Sequence, residues 1–255
     1  MELLQSLTGA SLPHLLLVAV IGFITAFLGG VTGYGNSALL PLVLIPVTGP
    51  EPLVPIIAIV GMFNNITRVV AFRRYIDLSR VWIVLAASVP MCALGAYTYT
   101  RLTGPTILTL IGTMLILSVP FRRVLRNRQI KLETGGLAAG SMVFGFLSGT
   151  TSGAGVILMS LLMAVGMSGI AVLATDAVIS TVIGITRISV YWGSGALTPQ
   201  VVTFGLMIGL ISLPGAFVAR AFVERLPLHV HTAILDGIVI LGGAIMIVQA
   251  IGQFW

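Results

Sequence analysis

Hydrophobic positions in this chain do not alternate with polar ones; they run together in long blocks broken by short polar connections. Apolar stretches occupy roughly residues 12–30, 34–48, 53–72, 81–100 and 104–121, then 136–150, 154–166, 169–191, 200–220 and 232–252. A helix that crosses a bilayer needs about 20 mostly apolar residues, and most of these blocks approach that length. Blocks 34–48 and 154–166 fall short, and each follows a glycine cluster, which predicts a re-entrant or broken-helix hairpin in each half. The expected fold is an all-α polytopic membrane protein in which each hairpin is followed by three transmembrane helices.

The residues repeat along with the block lengths. Gly29, Gly33 and Gly35 in GGVTGYG return as Gly149, Gly153 and Gly155 in GTTSGAG, an offset of 120 positions from Gly33 to Gly153. ITRVVAF (66–72) returns as ITRISVY (185–191), an offset of 119 from Arg68 to Arg187, and Gly95-Ala96 returns as Gly215-Ala216. These matches divide the chain into an N-terminal repeat (1–121), a basic connector (122–134) and a C-terminal repeat (135–255).

Composition fixes the solvent. With 57% hydrophobic and only 8% charged residues, the chain exposes too much apolar surface for a soluble domain. The net charge of +6 sits in a few short connections, so it sets topology and does not point to nucleic acid. Basic residues beside membrane segments stay in the cytoplasm, which places Arg73, Arg74 and Arg80 inside, with Arg122, Arg123, Arg126, Arg128 and Lys131. Counting outward puts Glu51, Arg101 and the charge-free GSGALTP turn (193–199) outside, the 220–231 connection inside, and both termini on the periplasmic face of a bacterial inner membrane. One half then begins outside and the other inside, so the repeats are expected to be inverted. Four single spans per half would make them parallel. The N-terminus carries Glu2 and no A-x-A site, and is expected to be retained as a membrane segment. Cys92, the one cysteine, lies in an apolar block and reads as a packed thiol; no metal site and no cofactor are expected.

Chemistry is expected where backbone is freed from helix. Unwound membrane backbone must line a cavity or be buried in protein, and N–H groups at half-helix N-termini attract anions. Gly33, Tyr34, Gly35 and Asn36, with Thr32 and Ser37, offer such a site in one half. Thr151, Ser152, Gly153 and Gly155, with Ser148 and Thr150, offer it in the other, although small residues also serve close helix packing. Arg68 and Arg187 are repeat equivalents within apolar blocks, and a guanidinium suits an oxyanion; their nearness to segment ends also allows them to reach the interface. Asn64, beside Asn65, precedes Arg68 and suits ligand or helix contacts. Asp176 has only Ile56 or Ile57 as its repeat counterpart, so it reads as an arginine partner or a proton-coupling group. Asp176 and Arg187 are eleven residues apart, about 16 Å along a helix, so Arg68 or backbone must compensate Asp176 if it is ionised. Asp236 falls early in the last block, where an interfacial role is expected.

With these features together, the chain resembles the TauE/SafE family of sulfite and sulfonate exporters over nearly its whole length. The resemblance is strongest at GFITAFLGGVTGYGNSALLPLVL (22–44) and GFLSGTTSGAGVILMSLLM (145–163). The family's usual G-x-G-G-G run is here GYGN with Pro41 downstream, and in the second half GAGV with Met159 and Ser160 and no proline. The resemblance implies export of sulfite, sulfoacetate or a related organosulfur or carboxylate anion, coupled to an ion gradient; it leaves dimerisation open.

Two other classes compete. A passive anion channel shares the glycines but needs no coupling carboxylate. An intramembrane enzyme is suggested by Ser152 in GTTSG, but that chemistry wants a base beside the nucleophile. The histidines His14, His229 and His231 sit near segment ends, and neither H-E-x-x-H nor G-x-S-x-G occurs. The reading is a non-enzymatic anion transporter working by ion-coupled alternating access, with Asp176 as the coupling group.

Overall fold

The computed structural model describes residues 20, 22, 23, 35–128, 132–223 and 228–254. Gly33, Tyr34, Thr32 and His14 lie outside them, and Asn36, Ser37 and Asp236 are described as backbone only. The described residues contain no strand. Helices run at Gly35–Thr48 (α1), Leu53–Phe72 (α2), Leu78–Tyr99 (α3), Gly104–Arg128 (α4), Thr134–Thr150 (α5), Gly155–Ala164 (α6), Gly169–Gly193 (α7), Pro199–Val223 (α8) and Leu228–Phe254 (α9). Among the described residues, four helices are long and apolar enough to cross a membrane: Leu53–Tyr75, Leu78–Tyr99, Gly104–Phe121 and Gly169–Gly193.

Helix ends outrun the apolar blocks. The basic segment expected as a loop after residue 121 is helical to Arg128, because arginine and leucine are good helix formers and the helix simply leaves the apolar layer. The 73–80 connection shrinks to a 3-10 turn at Arg73–Tyr75 and two further residues, since Asp77 caps α3. In the same way the 220–231 connection is helical to Val223 and again from Leu228, which puts His229 and His231 in helix.

Local chemistry explains where helices stop and start. After α7, Gly195 takes φ +75° while its N–H bonds the Trp192 carbonyl and the Ala196 N–H bonds that of Tyr191, a glycine-terminated helix end. Thr198 then accepts from the Val201 N–H, and Pro199 occupies the first turn of α8, where its missing N–H costs nothing. Asp77 accepts from the Arg80 N–H at 3.1 Å and pairs with the Arg80 guanidinium. That backbone bond, reinforced by the Arg80 side chain, holds the Asp77 carboxyl below the usual 3.8. A depressed carboxylate stabilises the fold above its unfolded pKa and loses that contribution as pH falls through the folded one. Asp77→Ala should therefore cost about 1 kcal/mol at neutral pH. Thermal unfolding in detergent should show the gap to the parent narrowing as pH drops below 3.8.

Packing is through small residues, as expected where lipid offers no hydrophobic drive for helix association. Along the seam of α3 and α5, a Cβ added at Gly145 would lie 2.2 Å from the Ser88 carbonyl oxygen, and one at Gly149 would lie 2.4 Å from that of Cys92. Cys92 is itself buried there, as its sequence setting implies. Helices α4 and α9 cross reciprocally: a Cβ at Gly112 would meet the Gly243 oxygen, Met246 and Ile247, and one at Gly243 would meet the Gly112 oxygen, Leu115 and Ile116. Helices α2 and α7 form the central pair, with every residue of α2 from Leu53 to Val60 buried.

The second glycine-broken segment is a helical hairpin. The Leu132 N–H, just before α5, donates to the Ala164 carbonyl at the end of α6, and Gly140 faces Leu161 midway. The two helices are thus antiparallel and open at one end of the bundle. Arg80 reaches the Val165 carbonyl there, so the hairpin base, Asp77, Arg73 and Arg74 share this basic end. At the other end Tyr99 donates to the Pro50 and Glu51 carbonyls and accepts from the Val54 N–H, capping α2 from a distance. Trp82 near the basic end and Trp192 at the other are strongly exposed, the placement of aromatic residues at membrane interfaces.

Candidate functional site

The break between α5 and α6 is built by its residues. Thr151 is extended, Gly153 takes φ +91°, and α6 restarts at Gly155. Only glycine adopts that φ without strain, and a side chain at Gly153 would otherwise meet little, the nearest atom being Leu115 Cδ2 at 3.5 Å. Thr150, Thr151 and Ser152 are all buried at the tip. The Thr150 hydroxyl turns back on its own helix, donating to the Phe146 carbonyl at 3.1 Å.

Arg187 lies one helical turn before Tyr191 on α7, and the Tyr191 hydroxyl donates to the Gly149 carbonyl at the tip at 2.8 Å. Arg187 donates to the Val54 carbonyl at 3.2 Å, while its Nε is buried without a hydrogen-bond partner among the described residues. Tyr99 packs against Tyr191 with ring centroids 5.8 Å apart.

Arg68 makes the mirror-image contact. It donates to the Leu173 carbonyl at 3.1 Å, and the offset of 119 that carries Arg68 to Arg187 also carries Val54 to Leu173. The same offset carries Ile57 to Asp176, and here the two ends part. Asp176 binds Arg68 at 2.8 Å, with side chains 4% and 17% exposed, and Ser180 lies within 3.4 Å of its other oxygen. Of the two compensations left open by the eleven-residue spacing of Asp176 and Arg187, Arg68 or backbone, it is Arg68 that pairs with Asp176. Ile57 is buried and apolar, and no described carboxylate lies within ion-pair distance of Arg187. Among the described residues one arginine is neutralised and its repeat mate is not.

Of the residues singled out from sequence, Thr151, Ser152, Gly153 and Gly155 meet at the hairpin tip, and Arg187 lies one turn before Tyr191, which bonds Gly149 there. Arg68 and Asp176 form a separate pair toward the basic end. Asn64 donates weakly to Val60 in its own helix at 3.4 Å. Gly35 starts α1, and Gly33, Tyr34 and the Asn36 side chain are outside the described residues. Tyr191 and Tyr99 escaped the sequence reading. The signal for Tyr191 was present, since it ends ITRISVY where the other repeat ends in Phe72. Among the described residues no group of histidine, cysteine or carboxylate side chains is placed to hold a metal ion.

A half-buried arginine and a glycine-broken helical hairpin within a bundle of helices long and apolar enough to span mark a multi-pass membrane protein. The family model for the sulfite exporter TauE/SafE matches residues 18–246, and the chain belongs to that family. No curated protein and no solved structure matches it.

Proposed function

We propose that this protein is a secondary transporter that moves a small anion, sulfite or a related organosulfur anion, across the bacterial inner membrane by ion-coupled alternating access. The single observation that carries the reading is Arg187, a half-buried guanidinium one turn from the tyrosine that binds the hairpin tip, whose repeat mate is neutralised and which has no carboxylate partner among the described residues. Left alone in a low-dielectric setting, such a cation favours an anionic ligand, and the tip supplies Thr151 and Ser152 to orient it. Gly33, Tyr34, Gly35 and Asn36 contribute the opposing hairpin in this reading, while Asn64 borders the path. Asp176, gripped by Arg68, is the group that takes up and releases the coupling proton.

Inverted repeats, 1–121 and 135–255 about the basic connector, suit this mechanism. The antiparallel run of α2 against α7, which are repeat mates, and their reciprocal arginine contacts support the inversion. On this layout the basic end is cytoplasmic and both termini are periplasmic.

The test is flux of radiolabelled sulfite and sulfoacetate into proteoliposomes with and without a pH gradient. Parent protein should follow the gradient. Asp176→Asn should retain exchange of anion but lose the response to the gradient, and gradient-independent flux in the parent would overturn the coupled reading.

A further inference from the structure

The two ends of the central helix pair are closed by different chemistry. At the basic end, four described polar ties cross from the first half to the second: Arg68 to the Leu173 carbonyl, Arg68 to Asp176, the Asp77 N–H to the Thr175 hydroxyl at 3.1 Å, and Arg80 to the Val165 carbonyl at 3.3 Å. They bind the α2–α3 corner both to α7 and to the base of the helical hairpin. At the opposite end, the offset of 119 puts Ile56 where Thr175 stands and Ile57 where Asp176 stands, both buried. The connection there, GSGALTP, carries no charge, and among the described residues the polar tie between α7 and α2 at that end is Arg187 to Val54.

We propose that the Arg68–Asp77–Arg80 corner is a polar latch that clasps Val165, Leu173, Thr175 and Asp176 and holds the basic end of the transport path closed. The opposite end, crossed between α2 and α7 by the single described tie of Arg187 to the Val54 carbonyl, closes mainly by apolar packing. Hydrogen bonds have defined directions and are lost together when the corner moves, so the latch gives this end two discrete states, whereas the apolar end slides. Arg187 lies near the far end of α7, so an anion entering from the basic end passes the latch before it reaches the guanidinium. This rests on the alternating-access reading above, yet its test needs no substrate.

Spin labels at Tyr75→Cys and Gly135→Cys, both exposed positions, in a Cys92→Ala background report the gap between corner and hairpin base. Without any anion present, the parent should give one main distance population, with any longer-distance state below about a tenth. Thr175→Val, which removes one hydroxyl, should enlarge the longer population several-fold, and Arg80→Gln further; Thr175→Val carries the test alone if Arg80→Gln yields no protein. Arg187→Gln should leave the distribution as in the parent. An unchanged distribution in Thr175→Val, or an equal shift in Arg187→Gln, overturns the latch. Gradient-independent flux with the expected distance shift would instead strike the coupling reading and leave the latch standing.

Discussion

Ile57→Asp is expected to silence anion transport without unfolding the protein. Position 57 stands to Arg187 as Asp176 stands to Arg68, so a carboxylate there should fold onto the guanidinium and neutralise it. A hydrogen bond to a charged group contributes about 1.5–3 kcal/mol, so losing Arg187 to an internal partner should lower flux at subsaturating sulfite by roughly ten- to a hundredfold. Arg187→Gln should lose a similar amount. The informative control is Ile57→Asn, which has the same shape without the charge and should retain much of the flux. If Ile57→Asp and Ile57→Asn are equally impaired, the loss comes from burying a polar group, and Arg187 is not the anion's anchor.

Gly149→Val is expected to have the largest effect on stability. A Cβ there would lie 2.4 Å from the Cys92 oxygen, 2.5 Å from the Ala96 nitrogen and 2.8 Å from the Gly95 carbonyl carbon, all of them backbone atoms that no rotamer change can move. Overpacking typically costs about 1–3 kcal/mol where side chains relax, and this site should fall at or above the top of that range. The same displacement would carry the Gly149 carbonyl away from Tyr191 and so loosen the tip against α7. Size-exclusion profiles and melting midpoints in detergent should show a poorly folded or strongly destabilised protein. Gly135→Ala, exposed in the first turn of α5 with no described atom within 4 Å of the added Cβ, should be neutral or slightly stabilising. Equal stability of the two variants would mean that α3 and α5 are not packed as closely as described.

The asymmetry between Arg68 and Arg187 joins these expectations. The repeat mates α2 and α7 make reciprocal bonds onto Val54 and Leu173, and two differences between them, Asp176 against Ile57 and Tyr191 against Phe72, make one end an ion pair and leave the other arginine without a carboxylate among the described residues. The ion pair needs both partners: removing one charge of a buried pair costs about 3–5 kcal/mol because the other is stranded. For that reason Arg68→Ala is a poor probe of anion binding, since any loss of flux would mix with loss of fold.

The amino-acid sequence alone determined the solvent, the helical class and the repeat, because apolar block length and an offset of 119 to 120 are properties of one dimension. It also determined that Asp176 cannot be served by Arg187, since eleven residues on one helix hold them about 16 Å apart. The tertiary structure decided what depends on separate helices meeting. Arg68 and Asp176 are 108 positions apart and Arg187 and Val54 are 133 apart, and only the antiparallel docking of α2 on α7 brings each pair together. The short block at 154–166 and its glycines already predicted a hairpin, and the tertiary structure added how its arms join, through the Leu132 to Ala164 bond. The ends of α3, α4 and α8 also escaped the hydrophobic pattern, because a helix stops where its capping groups are and not where its apolar residues run out.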